Sequence, residues 1–274
     1  MFGGDVSAWQ HFLVKQDLLS DVVDGVFGPN TAQATRDYQT RNGLKADGAV
    51  GVGTFSQAVR DGYEPQAGRA AIPGMDAACD CSAFGACIAT ASMKFVVRYY
   101  SASLKKRMAR PEAVALTSAG LELAVVYQDS NNDLKVFSEQ TGRKHATTAL
   151  QQALEIGQPA GSAIYFAVDF DASAEDLRGA ILDYFREVSR LLGAASTRYA
   201  VGVYGSGLTC RLIRDAGLAT FTWLCGSAGY RETTQFRPEA HLLQVAPSRK
   251  ICGNKLAIDD DIAQNENFGA FRVA

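Results

Sequence analysis

Histidine is scarce in this sequence: His11, His145 and His241 are its three, far apart along the chain. That scarcity argues against a His-rich catalytic zinc site, which needs several imidazoles at one ion. Cysteine is absent before residue 78 and then occurs six times, as Cys79, Cys81, Cys87, Cys210, Cys225 and Cys252. The C-x-C-x5-C cluster lacks the paired C-x2-C spacing of zinc ribbons, so no metal is expected. An even count permits disulfides, and buried free thiols fit equally well. Neither sign of charge dominates: 27 basic against 29 acidic side chains leave a net charge of -2, which gives no electrostatic case for nucleic acid or an anionic membrane. No apolar run approaches the roughly 20 residues needed to cross a bilayer. No G-x-G-x-x-G or G-x-x-x-x-G-K-[ST] follows a strand-like run, so a nucleotide has no visible seat and no cofactor is expected. The opening "MFGGDVSAWQHF" has no basic stretch leading into an apolar one, so no secretory signal is visible.

What the chain has is ordinary globular composition, 47% hydrophobic and 20% charged over 274 residues, enough for one large domain plus a small one. The first 60 residues carry an internal echo. "DGVFGPNT" at 24–31 and "DGAVGVGT" at 47–54 both read D-G-x-x-G-x-x-T. Asp-Gly supplies a position tolerant of positive φ, the second Gly closes the loop, and Thr falls in the first turn of the next helix. Pro29 suits that helix start. A helical pattern precedes each copy: Val6, Trp9, Phe12 and Leu13 before the first, Thr35, Tyr38 and Gln39 before the second. The spacing predicts a bundle of about three helices with two matching glycine turns.

Taken together, W-Q-x-F-L, D-G-x-F-G-P-x-T, Y-Q-x-x-x-G-L and D-G-x-x-G-x-x-T in this order resemble the peptidoglycan-binding domain 1 family over roughly residues 5–60. The resemblance implies a non-catalytic module that docks on bacterial cell-wall glycan or stem peptide. Tyr38, Asp47 and Gly48 are its expected wall contacts. The module is expected to span residues 1–62, followed by a Gly/Pro/Ala-containing linker at 63–72 and a larger domain at 73–274.

In that larger domain, apolar strand-like runs alternate with helical stretches. Strands are expected at 72–78, 95–101, 122–128, 163–171, 199–206, 221–226, 241–246 and 256–263, with helices at 82–93, 110–119, 145–157, 174–192 and 207–216. Near-continuous apolar strands separated by helices indicate a parallel sheet buried on both faces. Eight of them indicate an α/β fold of the (β/α)8 type, a TIM-like barrel with some helices short or missing near the C-terminus; a doubly wound open sheet is the alternative. A barrel gathers its site at the carboxyl ends of its strands. Those ends carry Asp76, Arg98 with Tyr100, Gln128, Asp169 with Asp171, Tyr204, Trp223, Gln244, and Asp259 with Asp261. Each acid alone reads as a cap or turn residue. As a set, carboxylates, amides and aromatic rings suit a carbohydrate cleft, where rings stack on sugars and polar groups bind hydroxyls.

"GMDAAC", "FVVRYYS", "GSAIYFAVDFDAS", "GVYGS", "TWLCGSAGY" and "IDDDIA" fall in the order found in glycoside-hydrolase-like barrels, a family similar to the family 25 lysozymes. The resemblance covers about residues 73–266. It implies cleavage of the β-1,4 bond between N-acetylmuramic acid and N-acetylglucosamine, with Asp76 as the first-strand acid and Asp259 or Asp261 as the last-strand acid. "DFD" takes the place of the middle strand's D-x-E, so Asp169 or Asp171 stands where the lysozymes have Glu. On a regular strand the two would share a face, with Cα atoms roughly 6.5–7 Å apart. Asp171 is the expected general acid, with Asp169 and Asp76 orienting substrate; Arg98, Tyr100, Gln128, Tyr204, Trp223 and Gln244 are expected to bind it. The rival expectation is a wall-binding protein whose barrel has lost activity. A wall hydrolase without a visible signal is expected to leave the cytoplasm by another route, as a phage endolysin or an injected toxin does. Peptidoglycan is then the expected partner, with an immunity protein or secretion apparatus alongside.

Overall fold

The computed structural model describes residues 4–20, 23, 26–63, 72–194 and 198–273. The chain divides into two units, Met1–Arg69 and Ala70–Ala274. The linker expected at 63–72 lies almost wholly outside the described residues.

In the first unit the described helices are α1 (Gly4–Lys15), α2 (Pro29–Arg41) and α3 (Val52–Arg60). Pro29 sits in the first turn of α2, where its missing N–H costs nothing. Trp9, Phe12, Leu13, Tyr38 and Ala58 form the core, with Trp9 and Phe12 meeting the Tyr38 ring edge-on at 5.7 and 5.2 Å. The repeat has a clear physical content. Gln39, the residue after Tyr38, donates through Nε2 to Asp47 Oδ1 (3.0 Å), the Ala49 carbonyl (2.8 Å) and Thr54 Oγ1 (3.0 Å), and accepts from the Gly48 N–H (2.9 Å). Gln10, the residue after Trp9, donates to the Val26 carbonyl (3.1 Å) and Thr31 Oγ1 (3.0 Å) in the first copy. Each D-G-x-x-G-x-x-T turn is thus stapled by a buried glutamine from the preceding helix; Asp24 and Gly25 lie outside the described residues. Gly48 has φ +74° and its side is closed by Arg36, so a side chain there is strained twice over.

This arrangement corrects one of the expected wall contacts. Tyr38 is fully buried and its hydroxyl donates to Asp61; the Gly48 N–H and Asp47 Oδ1 belong to the staple, while the Asp47 side chain is exposed.

In the second unit, strands β1 (Ile72–Asp76), β2 (Phe95–Tyr100), β3 (Glu122–Tyr127), β4 (Ala163–Ala167), β5 (Ala200–Gly205), β6 (Phe221–Leu224), β7 (Leu242–Ile251) and β8 (Leu256–Ala263) close a barrel in sequence order. Closure removes the open-sheet alternative. Helices α4 (Gly85–Thr90), α5 (Arg110–Ser118), α6 (Glu139–Ile156), α7 (Ala174–Arg178), α8 (Ala180–Ala194), α9 (Gly207–Asp215) and the short α10 (Thr233–Phe236) lie between the strands. Serine caps start three of them: Ser138 on α6 and Ser173 on α7 each form a reciprocal capping box, and Ser206 on α9 accepts from the Thr209 N–H. The helix expected at 174–192 is broken at Gly179 into α7 and α8.

The barrel departs from the (β/α)8 expectation at its last strand. Neighbouring strands from β1 to β7 are parallel, but β8 runs antiparallel to both β7 and β1. Only residues 252–255 connect β7 to β8, and a parallel crossover needs a dozen or more. Cys252, Gly253 and Asn254 all take positive φ to make that tight return. Cys252 is also joined to Cys87 of α4 by a disulfide across 165 residues, while Cys79, Cys81, Cys210 and Cys225 are free.

Alternation sorts the strand side chains into two layers. Phe95, Val97, Tyr99, Val126, Tyr165 and Trp223 fill the interior with Phe268; Val96, Tyr100, Val125 and Tyr127 pack outward under the helices. Gly74 and Gly202 leave room for the Phe95 and Tyr165 rings inside, where a Cβ would collide.

The glutamine staple predicts its own test. Gln39→Leu leaves the Gly48 N–H and Thr54 hydroxyl unmatched, a loss of roughly 2 kcal/mol or more. Amide hydrogen exchange in residues 29–60 of the full chain should then accelerate at least about 30-fold while exchange in the barrel strands stays unchanged.

Candidate active site

At the barrel end where β1–β7 finish and β8 begins, six of the expected residues line a pocket of about 200 Å³: Gln128, Asp169, Tyr204, Trp223, Gln244 and Asp259. Tyr99 and Val126 complete the lining.

Asp76, at the end of β1, lies beneath this pocket and is 3% exposed. Its Oδ1 accepts from the Tyr99 hydroxyl (2.8 Å) and its Oδ2 from Gln244 Nε2 (2.8 Å). Gln244 Oε1 in turn accepts from the Tyr204 hydroxyl at 2.8 Å. The donors therefore point one way, from Tyr204 through Gln244 to Asp76. Burial outweighs these bonds and pushes the Asp76 carboxyl up to about 6, with the Asp259 charge adding to the rise.

The antiparallel run of β8 decides which of its acids meets the pocket. Asp259 pairs with Asp76 in register and lines the pocket, where it accepts from the Ser248 hydroxyl. Asp261 lies two residues deeper, opposite Gly74 and Gln244, and is 1% exposed. Its Oδ1 accepts from Trp223 Nε1 at 2.9 Å, and its Oδ2 has no hydrogen-bond partner among the described residues. Burial, with Asp76 nearby, drives its carboxyl well above the ordinary range, and its bond to Trp223 Nε1 fixes that ring from below.

Asp169 and Asp171 do not share a face. Strand β4 ends at Ala167, and the Ala172 N–H turns back to the Phe170 carbonyl, so the alternation of a regular strand no longer applies. Asp169 faces the pocket and accepts from Gln128 Nε2 at 2.8 Å; Gln128 Oε1 accepts from Lys106 Nζ at 3.0 Å. Burial raises the Asp169 carboxyl, opposed by the Gln128 bond and the Lys106 charge. Asp171 turns to the loop before α10, where its carboxylate takes the Arg231 N–H (2.8 Å) and guanidinium (2.5 Å).

Arg98 and Tyr100 are likewise outside the pocket. Tyr99 points inward, so both its neighbours point to the helices. Arg98 forms a fully buried pair with Glu112 of α5 (Nε to Oε1 2.6 Å) and also donates to the Lys106 carbonyl at 3.3 Å. The Tyr100 hydroxyl donates to Gln158. Tyr99 and Lys106 are the polar groups that the sequence reading passed over. Strict alternation through "FVVRYY" separates Tyr99 from its neighbours; nothing in the sequence places Lys106, which reaches the pocket residue Gln128 from the loop after β2.

Over residues 86–263 the chain matches the Rv2525c-like, glycoside hydrolase-like domain, and over residues 2–57 a peptidoglycan binding domain. Two Bacillus subtilis (strain 168) proteins are similar. YbfG is 32% identical over 125 residues, 43% of this chain and 17% of its own; FadG is 26% identical over 218 residues, 76% of this chain and 37% of its own. The chain spans well under half the length of these relatives. The crystal structure of the Tat-secreted protein Rv2525c from Mycobacterium tuberculosis, in complex with L-tartrate, matches with a TM-score of 0.60 at 25% identity, covering 72% of this chain and 98% of that one. Rv2525c bears the provisional name of a peptidoglycan hydrolase.

The raised Asp76 carboxyl has a measurable consequence. The folded state holds this proton up to about pH 6 whereas an unfolded Asp releases it near 3.8, so stability falls as pH rises between those values. The contribution is on the order of 3 kcal/mol. Asp169 and Asp261 act in the same sense, and buried His145, whose pKa is lowered by burial, acts in the opposite one. The stability of wild type minus that of Asp76→Asn, from urea unfolding at steps from pH 4 to 7, should therefore decline with pH; a flat difference contradicts the raised carboxyl.

Proposed function

The chain belongs to the Rv2525c-like, glycoside hydrolase-like domain family, and from that premise we propose that its barrel hydrolyses the glycan of peptidoglycan, at the β-1,4 bond between N-acetylmuramic acid and N-acetylglucosamine. The observation that carries this reading is the pocket itself: two carboxyl groups from opposite parts of the chain, Asp169 and Asp259, face one space walled by Tyr99, Tyr204 and Trp223. Glycoside hydrolysis needs a protonated acid at the leaving oxygen and a second carboxylate at the anomeric carbon. Asp169 suits the first role, because burial keeps its proton longer than water would. Asp259 supplies the second, and Asp76, held by Tyr99 and Gln244, fixes the rings and amides that receive the sugar. The shorter Asp side chain replaces the family Glu at this position, and Asp171 serves instead as an anchor for Arg231.

Rv2525c is Tat-secreted, and by that likeness this chain acts outside the cytoplasm. The Cys87–Cys252 disulfide fits an oxidising compartment. The first unit docks on the wall. Its own pocket, about 390 Å³ and lined by Leu18, Leu19, Ser20, Asn30, Gln33 and Asp37, supports contact there rather than at Tyr38. A second reading, wall binding without catalysis, is favoured by one observation: Asp171, which the resemblance offers as a replacement for the Glu, is paired with Arg231 away from the pocket.

Release of muropeptides with new reducing ends from purified peptidoglycan separates the two. Wild type should release them, and Asp169→Asn should lose about 100-fold or more of that rate. Equal, background-level release by both would leave only the wall-binding reading. In sedimentation with insoluble peptidoglycan, Gln33→Ala/Asp37→Ala should pellet several-fold less than wild type; undiminished pelleting would remove the first unit's pocket as the docking site.

A further inference from the structure

We infer that Lys106 is a positioning residue that sets which way the Gln128 amide points, and through it which Asp169 oxygen is left to carry the proton. The inference rests on the proposed donor role of Asp169.

The argument is one of donors and acceptors. An ammonium group has three donors and no acceptor, whereas a glutamine amide has one oxygen and one NH₂ that can exchange places by a half-turn. Lys106 Nζ lies 3.0 Å from Gln128 Oε1, and Gln128 Nε2 lies 2.8 Å from Asp169 Oδ2. A half-turn of the amide would set its NH₂ against the ammonium and its carbonyl oxygen against the carboxyl oxygen. Both contacts would be repulsive. Lys106 thereby selects the orientation in which Gln128 donates to Asp169. With Oδ2 engaged by that donor, the proton of the acid form resides on Oδ1.

Lys106 is itself fixed from two further directions. Its ammonium stands 4.1 Å from the centre of the Tyr99 ring, and its carbonyl accepts from Arg98, which is locked to Glu112 inside the protein. The start of its loop is pinned where Ser101 Oγ and the Ala102 N–H both donate to Asp129 Oδ1, at 2.6 and 2.8 Å. The group is thus preorganised rather than a surface lysine free to wander. The titratable groups around Asp169 from the other elements are Asp76 on β1, Tyr99 on β2, Tyr204 on β5, Cys225 after β6 and Asp259 on β8, with Asp129 beside Gln128. None of these is a cation. Lys106 is therefore the group that opposes burial at Asp169 both by its charge and through the amide.

The decisive measurement is the carboxyl titration of Asp169 by carbon NMR in the full chain, its signal identified by its loss in Asp169→Asn. Lys106→Met should move the midpoint upward by about one unit. Lys106→Arg, which also donates to Gln128, should restore it. In a Gln128→Leu background the Lys106→Met shift should shrink to less than half, because the route through the amide is gone. The pH profile of muropeptide release should move in the same direction as the Asp169 midpoint. An unchanged midpoint in Lys106→Met, no restoration by arginine, or an equal shift with and without Gln128 each overturns the inference. Absence of any muropeptide release by wild type would instead remove the hydrolase reading, leaving the titration to decide the role of Lys106.

Discussion

Strand β8 has to satisfy two partners at once, β7 through a tight four-residue return and β1 across the seam of the barrel. Both pairings are antiparallel, and both registers are set by the same side-chain alternation. This closure brings Asp259 level with Asp76 and drops Asp261 opposite Gln244. Three carboxyl groups from the two ends of the domain are thereby brought together, Asp76 and Asp261 buried and Asp259 at the pocket lining. Burial, with like charge beside it, raises the carboxyls of Asp76 and Asp261 above their ordinary range. Chemistry here depends on strand pairing first and on residue type second.

Around that seam the polar groups are ordered by direction. Tyr204 donates to Gln244 and Gln244 to Asp76, while Lys106 donates to Gln128 and Gln128 to Asp169. Each chain of donors ends on a carboxyl group and passes through an amide, the one side chain that both accepts and donates in fixed geometry. Below them the Arg98–Glu112 pair stands outside the barrel wall yet holds the loop that carries Lys106. A buried pair of this kind adds little net stability; its value is that one loop conformation satisfies it.

Much of this was legible in the sequence. All eight strands lie close to where apolar runs between turn residues placed them, because most barrel positions are buried on both faces, and β2, β4 and β6 are buried at every residue. Six pocket residues were legible as polar strand ends. What failed did so for local reasons. Arg98 and Tyr100 were taken with the wrong parity, since a strand apolar on both faces does not announce which side is inside. Asp171 was counted along a strand that had already ended at Ala167. The direction of β8 was readable in principle from the short stretch before it. Tyr38 was mistaken for a ligand contact because a repeat motif marks its turn and says nothing of the glutamine that staples it. The Cys87–Cys252 pairing was beyond reach, as spacing alone does not select partners.

The seam has a consequence for the life of the chain as it is made. Asp76 belongs to the first strand and Asp259 to the last, and the disulfide partner of Cys87 follows it by 165 residues. Synthesis runs from one to the other, so most of the barrel exists as an unclosed fan of strands before its final hairpin is available. Contacts so distant along the chain form slowly and late. The pocket therefore has no partially competent ancestor on the ribosome: until β7 and β8 arrive there is a sheet with an open edge, and only their return turns it into a vessel.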